Sequence, residues 1–405
     1  MSGAAAGAVR HRAVAGFEPG QCWQSFQGKR AFAFGCFRRE QLEGDHRSPV
    51  GFGTGVNITN KSHCRLNVRH EKPCGKRKIL RRGKREAGPD ADGGVADQCL
   101  ETGRAHRFFS LLQDGGGYSC GVTVLEVIQK STEFLGRKGV ESPRLQIELL
   151  LAHVLRMPRL KLYLSFDREL TEAELATLRE LVKRRGNREP LQHLVGTVSF
   201  WGYEIVVNRD VFIPRPETEL LAEQCWIWLE QSGIESPAVL DVGTGSGCVA
   251  IALALRCPAA RLTAIDISEA ALGVARANAA RHGVGDRITF CCGDAFSPLA
   301  KGTRFDLIVS NPPYIPTEEI SRLQPEVRDY DPRIALDGGV DGLGFIRRLA
   351  VEAADYIAPG GRLMIEIGEG QAEPARGIFG AAGWNVEDVK IDDQGCPRIL
   401  VARRC

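Results

Sequence analysis

The 405-residue chain has no run of 18 or more apolar residues, which excludes a helix long and apolar enough to cross a bilayer. Its opening stretch, MSGAAAGAVRHRAVAGFEPG, lacks the apolar core of a secretory signal. The expectation is a cytoplasmic protein whose 13 cysteines stay mostly reduced. Cys22, Cys36, Cys64, Cys74, Cys99 and Cys120 offer no CxxC or CxxxxC pair to seed a zinc site, so no metal is expected. Residues 1–121 also lack any sustained apolar period of 2 or 3.6. Such a segment cannot bury enough apolar surface to offset its chain entropy.

The net charge of +3 hides an asymmetry. Residues 1–121 hold 20 Lys and Arg against 11 Asp and Glu, and residues 122–405 hold 33 against 39. The basic run from Lys76 to Arg85, KRKILRRGKR, can be read as a phosphate contact acting by counterion release or as a solvated, disordered tail. The composition fits the tail, and it also fits a start codon assigned upstream of the natural one.

From Val122 the texture changes. Leu125, Ile128 and Leu135 share one helical face, Ser142 and Pro143 read as an N-cap followed by proline at the first helical position, and Leu145, Leu149 and Ala152 continue an apolar stripe. Thr171 with Glu174 forms a capping box ahead of Leu175, Leu178 and Val182. Residues 122–190 are therefore expected to be a small helical domain. Residues 191–219 read as a hairpin linker turning at Gly202 or at Asn208–Asp210 and stiffened at its exit by Pro214 and Pro216. Residues 220–405 alternate strands (238–243, 261–267, 287–294, 305–311, 360–368, 398–404) with helices, which predicts a doubly wound α/β sheet with ligands at the carboxyl ends of its strands.

The first of these strands ends in Asp241-Val242-Gly243-Thr244-Gly245-Ser246-Gly247 and runs directly into a helix. Glycine permits positive φ and close approach of a ligand to the backbone at the positive end of that helix. Asp266, at the end of the second strand, can accept both hydroxyls of a ribose, a pattern that suits a nicotinamide cofactor or S-adenosylmethionine equally. Asp294, at the end of the third, suits an adenine amino group.

The fourth strand ends in Asn311-Pro312-Pro313-Tyr314. Consecutive prolines hold φ near −65° and donate no backbone hydrogen bonds, so Pro312 offers a rigid carbonyl beside the Asn311 side-chain oxygen. Two acceptors side by side can grip both hydrogens of a planar –NH2 group. An amide nitrogen is a poor nucleophile because its lone pair is delocalised, and aiming it at a methyl sulfonium is the help it needs. The Tyr314 ring can pack on the flat group and favour developing positive charge. No strong general base is required, because a methylated, charged amide loses its proton readily.

With these residues in view, residues 122–405 resemble the release factor glutamine methyltransferases, the PrmC/HemK family. The resemblance is carried by REPLQHLVGTVSFWGYEIVVNRDVFIPRPETELL (188–221), LDVGTGSG (240–247), AIDIS (264–268), SNPPYIP (310–316), YDPRIALDGGVDGL (330–343) and PGGRLMIEIG (359–368). It implies a Rossmann-like class I methyltransferase domain with a mostly parallel seven-stranded sheet, preceded by a helical bundle that contacts the release factor and by a β-hairpin linker. It implies S-adenosylmethionine at Gly243, Thr244, Gly245, Ser246, Gly247, Asp266, Asp294, Ala295 and Asn311. It implies the glutamine of the GGQ loop of class I peptide chain release factors at Asn311, Pro312, Pro313 and Tyr314, with Asn311, Pro312 and Tyr314 catalytic. A monomer with no membrane and no direct nucleic-acid substrate is expected. The rivals are a ribosomal protein glutamine and a nucleic-acid base, since NPPY is shared with adenine and guanine amino methyltransferases. Arg215 and Glu217 read either as a tie between linker and catalytic domain or as surface charges. His153 reads as packing or surface, and Cys291-Cys292 as core.

Overall fold

The computed structural model describes residues 121–405. The expectations for the amino-terminal extension, including the basic run Lys76–Arg85, lie outside the described residues.

The described chain begins with five helices: α1 (Val124–Arg137), α2 (Pro143–Val154), α3 (Arg159–Leu162), α4 (Glu172–Gly186) and α5 (Leu191–Val195). Thr123 and Thr171 each start a helix with a capping box, the hydroxyl accepting from the N3 amide while Glu126 or Glu174 accepts from the cap's own N–H. Ser142 differs from expectation. It sits at φ 47° and its side chain makes no capping bond, although its carbonyl still accepts from Gln146 N at 3.1 Å. Pro143 disfavours the helical region for the residue before it, and the chain enters α2 through a left-handed turn.

The buried face of α2 is also shifted from the expected stripe. Ile147, Leu150 and Leu151 are fully buried while Leu145, Leu149 and Ala152 are only partly covered. PRLQIELLLAHV is apolar nearly all round, so its period does not choose a face and packing on α1 and α4 does. On α1, which is amphipathic, Val124, Val127, Ile128 and Leu135 go in and Leu125 stays at the exposed margin of that face. The expected face of α4, Leu175, Leu178 and Val182, is buried. His153 lies on the surface.

A two-stranded antiparallel hairpin follows, β1 (Thr197–Phe200) and β2 (Tyr203–Val206), with Phe200 opposite Tyr203. Trp201 and Gly202 make the turn, both at positive φ (50° and 80°), the geometry that matches strand twist. Trp201 is held in this disfavoured conformation by two 2.7 Å bonds, from its N–H to Glu219 Oε1 and from its indole N–H to Glu219 O.

The remaining elements are α6 (Pro216–Gln231), β3 (Ala238–Val242), α7 (Cys248–Arg256), β4 (Arg261–Asp266), α8 (Glu269–Arg281), β5 (Ile288–Cys292), β6 (Phe305–Ser310), α9 (Pro325–Arg328), α10 (Gly344–Glu352), β7 (Ile357–Glu366), α11 (Ala372–Ala381), β8 (Trp384–Ile391) and β9 (Pro397–Arg404). The strands form one seven-stranded sheet in the order β5-β4-β3-β6-β7-β9-β8, with β9 antiparallel to both its neighbours and the other pairings parallel. Two apolar clusters cover its opposite faces, one built on α6, α7 and α8 and the other on α10 and α11. The helical domain has a third, separate cluster.

Strand β8 has no counterpart in the sequence reading. Its alternation, WNVEDVKI, is broken by a bulge between Val386 and Asp388 and masked by two adjacent acids. On edge strand β5, Cys291 is half-buried but Cys292 is exposed, so only the first behaves as a core residue. Among the described residues no helix is long and apolar enough to cross a membrane.

Candidate active site

The ends of β3, β4, β5 and β6 open into one cavity of about 570 Å³. The expected residues of the Gly turn, Asp266, Asp294, Ala295 and the Asn311–Tyr314 motif all line it except Gly247, which lies beneath the turn as the N-cap of α7.

On the β3 and β4 side the wall is main chain. Gly243, Gly245 and Gly247 have φ of 75°, 54° and 81°, values that a side chain would strain. A Cβ at Gly243 or Gly245 would enter open space, so the turn leaves room for a ligand, whereas at Gly247 it would press on Ala275 at 3.1 Å. Asp266 accepts from Gly245 N (2.8 Å) and from Ser268 N (2.9 Å), which locks the carboxylate against the turn. Thr244 donates to Asp241 Oδ2 at 2.7 Å. Burial pushes the Asp241 carboxyl up to about 7, against the hydrogen bond from Thr244. Beneath the turn, fully buried Asn278 donates to Ser246 O and Val206 O and accepts from Val206 N, pinning the hairpin to the glycine loop. Asp294 is half-exposed and pairs with Arg348 at 2.9 Å, and Ala295 is buried at φ 49°.

On the β6 and β7 side the wall is side chain. Asn311 Nδ2 donates to Thr218 Oγ1 at 2.9 Å, Thr218 Oγ1 donates to Glu366 Oε2 at 2.7 Å, and the Tyr314 hydroxyl reaches Glu366 Oε1 at 3.2 Å. Glu366 is buried at the end of β7. Burial pushes its carboxyl up to about 7, helped by Glu217 and opposed by the bonds from Thr218 and Tyr314 and by the Arg398 charge. Burial also raises the Tyr314 hydroxyl, with Glu366 adding to the effect, so Tyr314 stays neutral. Gln371 Nε2 donates to Tyr314 O at 2.9 Å. The segment 330–343 folds back beneath the motif, and at Gly338 a Cβ would meet Tyr314 Cα at 2.8 Å, so only glycine fits there.

Arg215 ties the linker to that segment through Asp331 at 2.9 Å. Burial pushes Asp331 up to about 6, with Arg215 opposing. Glu217 makes no such bond and acts on Glu366 and Tyr314 only through its charge. The helical domain grips the same region: Arg185 and Arg188 both bind Glu326 of α9, at 2.9 and 2.6 Å, and Tyr330 donates to Asn187 O.

Thr218, Glu366, Asp241 and Asn278 were not singled out from sequence. The available signal was a lone acid at or next to the end of an apolar strand, Glu366 in RLMIE and Asp241 in AVLDV, since a carboxylate is rarely buried without a task.

S-adenosylmethionine fits this donor set. Its ribose diol needs an acceptor such as Asp266, its adenine amine one such as Asp294, and its bulk needs the space above Gly243 and Gly245. The fold and site define an S-adenosylmethionine-dependent methyltransferase of class I. A model of the PrmC N-terminal domain matches residues 126–196, and a model described as a methyltransferase domain matches 239–330. The release factor glutamine methyltransferase of Geobacter sulfurreducens is 45% identical over 281 residues, 69% of this chain and 96% of that protein. That of Chlorobaculum tepidum is 45% identical over 271 residues, 65% of this chain and 92% of that protein. The chain belongs to the release factor glutamine methyltransferase family.

Proposed function

We propose that this chain methylates the side-chain amide nitrogen of the glutamine in the GGQ loop of class I peptide chain release factors. The observation that carries the reading is Asn311, whose Nδ2 is engaged by Thr218 so that Oδ1 remains to accept from a substrate –NH2 at the cavity wall. When bound, S-adenosylmethionine supplies an electrophilic methyl group. Gly243, Thr244, Gly245, Ser246, Gly247, Asp266, Asp294 and Ala295 hold it, and Asn311 borders both ligands. Asn311 Oδ1 and Pro312 O accept the two amide hydrogens, which fixes the nitrogen and its lone-pair direction. Pro313 keeps the turn rigid, and the Tyr314 ring, anchored through its hydroxyl on Glu366, lines the place where positive charge develops. The nitrogen gains a methyl group and gives up one proton to solvent.

The helical domain, through its grip on Glu326 and Tyr330, presents the release factor to this opening. The net acidity of residues 122–405 disfavours a nucleic-acid substrate. We further infer a monomer acting in the cytoplasm, where translation terminates. The test is transfer of labelled methyl to purified release factor. Label that disappears when the GGQ glutamine is replaced by Ala supports the reading; label that survives the replacement, or that enters ribosomal protein or nucleic acid instead, overturns it.

A further inference from the structure

We propose that Thr218 and Glu366 form a polarity relay that decides which end of the Asn311 amide faces the substrate, and so makes the site selective for a primary amide. This rests on the reading of Asn311 as the amide-holding residue and adds two positioning residues to it.

An Asn side chain is almost symmetric in outline, and its oxygen and nitrogen exchange places by a half-turn about the last bond. Only hydrogen bonding can choose between the two poses. The choice here starts from Glu366, buried at the end of β7, because an ionised carboxylate accepts and never donates. Its two oxygens are met by the hydroxyls of Thr218 (2.7 Å) and Tyr314 (3.2 Å). A hydroxyl has one proton. With that proton directed at Glu366, Thr218 Oγ1 can only accept from Asn311, which presents Nδ2 at 2.9 Å. Donation therefore runs from Asn311 to Thr218 to Glu366, and Oδ1 is the end of the amide left for the cavity that Asn311 lines.

Reversal of this direction would turn the Asn311 –NH2 into the cavity. There it would oppose a substrate –NH2, donor against donor, and would suit a carboxylate instead. The relay is assembled from three separate elements: Thr218 in the first turn of α6, Glu366 on β7 and Asn311 after β6. The charged and titratable groups that interact with Glu366 are Tyr314, Glu217, Arg398 and the buried Cys248 thiol. Loss of the Glu366 charge by protonation lets it donate to Thr218, which permits the reversed pose.

The test compares Thr218→Val, which removes the hydroxyl and keeps the shape, with Thr218→Ser, which keeps the hydroxyl, and with Glu366→Gln, which abolishes the titration. In the full chain, kcat and KM are measured on release factor, cofactor Kd by calorimetry, folding by thermal melt, and exchange of the Asn311 side-chain amide protons by NMR without substrate. The expected result is a kcat for T218V lower by on the order of 10²-fold with cofactor Kd little changed. T218S should recover most of the rate, and E366Q should flatten the dependence of kcat on pH. Asn311 amide protons should be protected in the parent and in T218S but not in T218V. Rapid exchange in the parent, or a folded T218V with near-parental kcat and protection, overturns the relay. If the parent itself fails to methylate release factor, the functional reading falls while the exchange measurement still decides the relay.

Discussion

On the side of the cavity formed by β3 and β4, shape is held by the main chain, with three glycines at positive φ and two amides donating to Asp266. On the side formed by β6 and β7 it is held by side chains, with Tyr314 and Thr218 donating to Glu366 and Asn311 to Thr218. The proposed placement of cofactor on one side and substrate amide on the other accounts for the difference. A backbone turn suits a bulky, polar molecule that must be gripped along its length. Orienting one amide nitrogen needs acceptors of fixed sense, and the sense of the Asn311 side chain is set by the side chains of Thr218 and Glu366. Mutations on the first side should therefore change binding, and mutations on the second should change turnover.

The largest effect expected from breaking this division is at Asn311. Asn311→Ala should lower kcat by on the order of 10²-fold or more while cofactor Kd, measured by calorimetry, moves far less. Asp266→Ala should do the converse. Loss of a charged acceptor worth about 1.5–3 kcal/mol should raise cofactor Kd roughly tenfold or more, and most of the rate should return at saturating cofactor.

Next in size are effects of pH, where both sides carry a buried carboxyl raised to about 7, Asp241 on one and Glu366 on the other. Ionised Glu366 is the form that orients Asn311, so kcat should rise with pH through about 7. A carboxyl whose folded value is raised holds a proton that the unfolded chain releases. Stability should accordingly fall as pH increases from the ordinary carboxylate range to about 7, and E366Q should reduce that slope in thermal melts taken across the window.

Asn278 sharpens the comparison because it supports the backbone side through Ser246 O without itself lining the cavity. Asn278→Ala leaves the Val206 N–H and two carbonyls without their buried partner. The cost should be about 2–4 kcal/mol, or roughly 5–15 °C in melting temperature, with kcat at low temperature changed less than in N311A. The smallest effect should come from removing residues 1–121. We expect the shortened chain to methylate release factor within about twofold of the full chain's rate, since the sequence of residues 1–121 carries no sustained apolar period.

The backbone side of the site was the legible one. Glycine at 243, 245 and 247 announces positive φ, and Asp266 and Asp294 stand at strand ends where a doubly wound sheet puts its ligands. Asn311–Tyr314 was also visible, because adjacent prolines after an apolar strand have few uses. Thr218 was hidden between Glu217 and Glu219, where it looks like one more polar residue in a first helical turn. Its partner lies 148 positions away on β7, a distance only the fold closes. The same holds for the shifted face of α2 and for β8, whose burial is chosen by neighbours and not by their own periodicity.

The most direct measurement is tandem mass spectrometry of release factor after incubation with the chain and S-adenosylmethionine. One added methyl group is expected, located on the side-chain amide of the GGQ glutamine, with its initial rate of appearance lower by on the order of 10²-fold or more when N311A replaces the parent. A methyl group on any other residue, or a near-parental initial rate with N311A, would contradict this reading of the site.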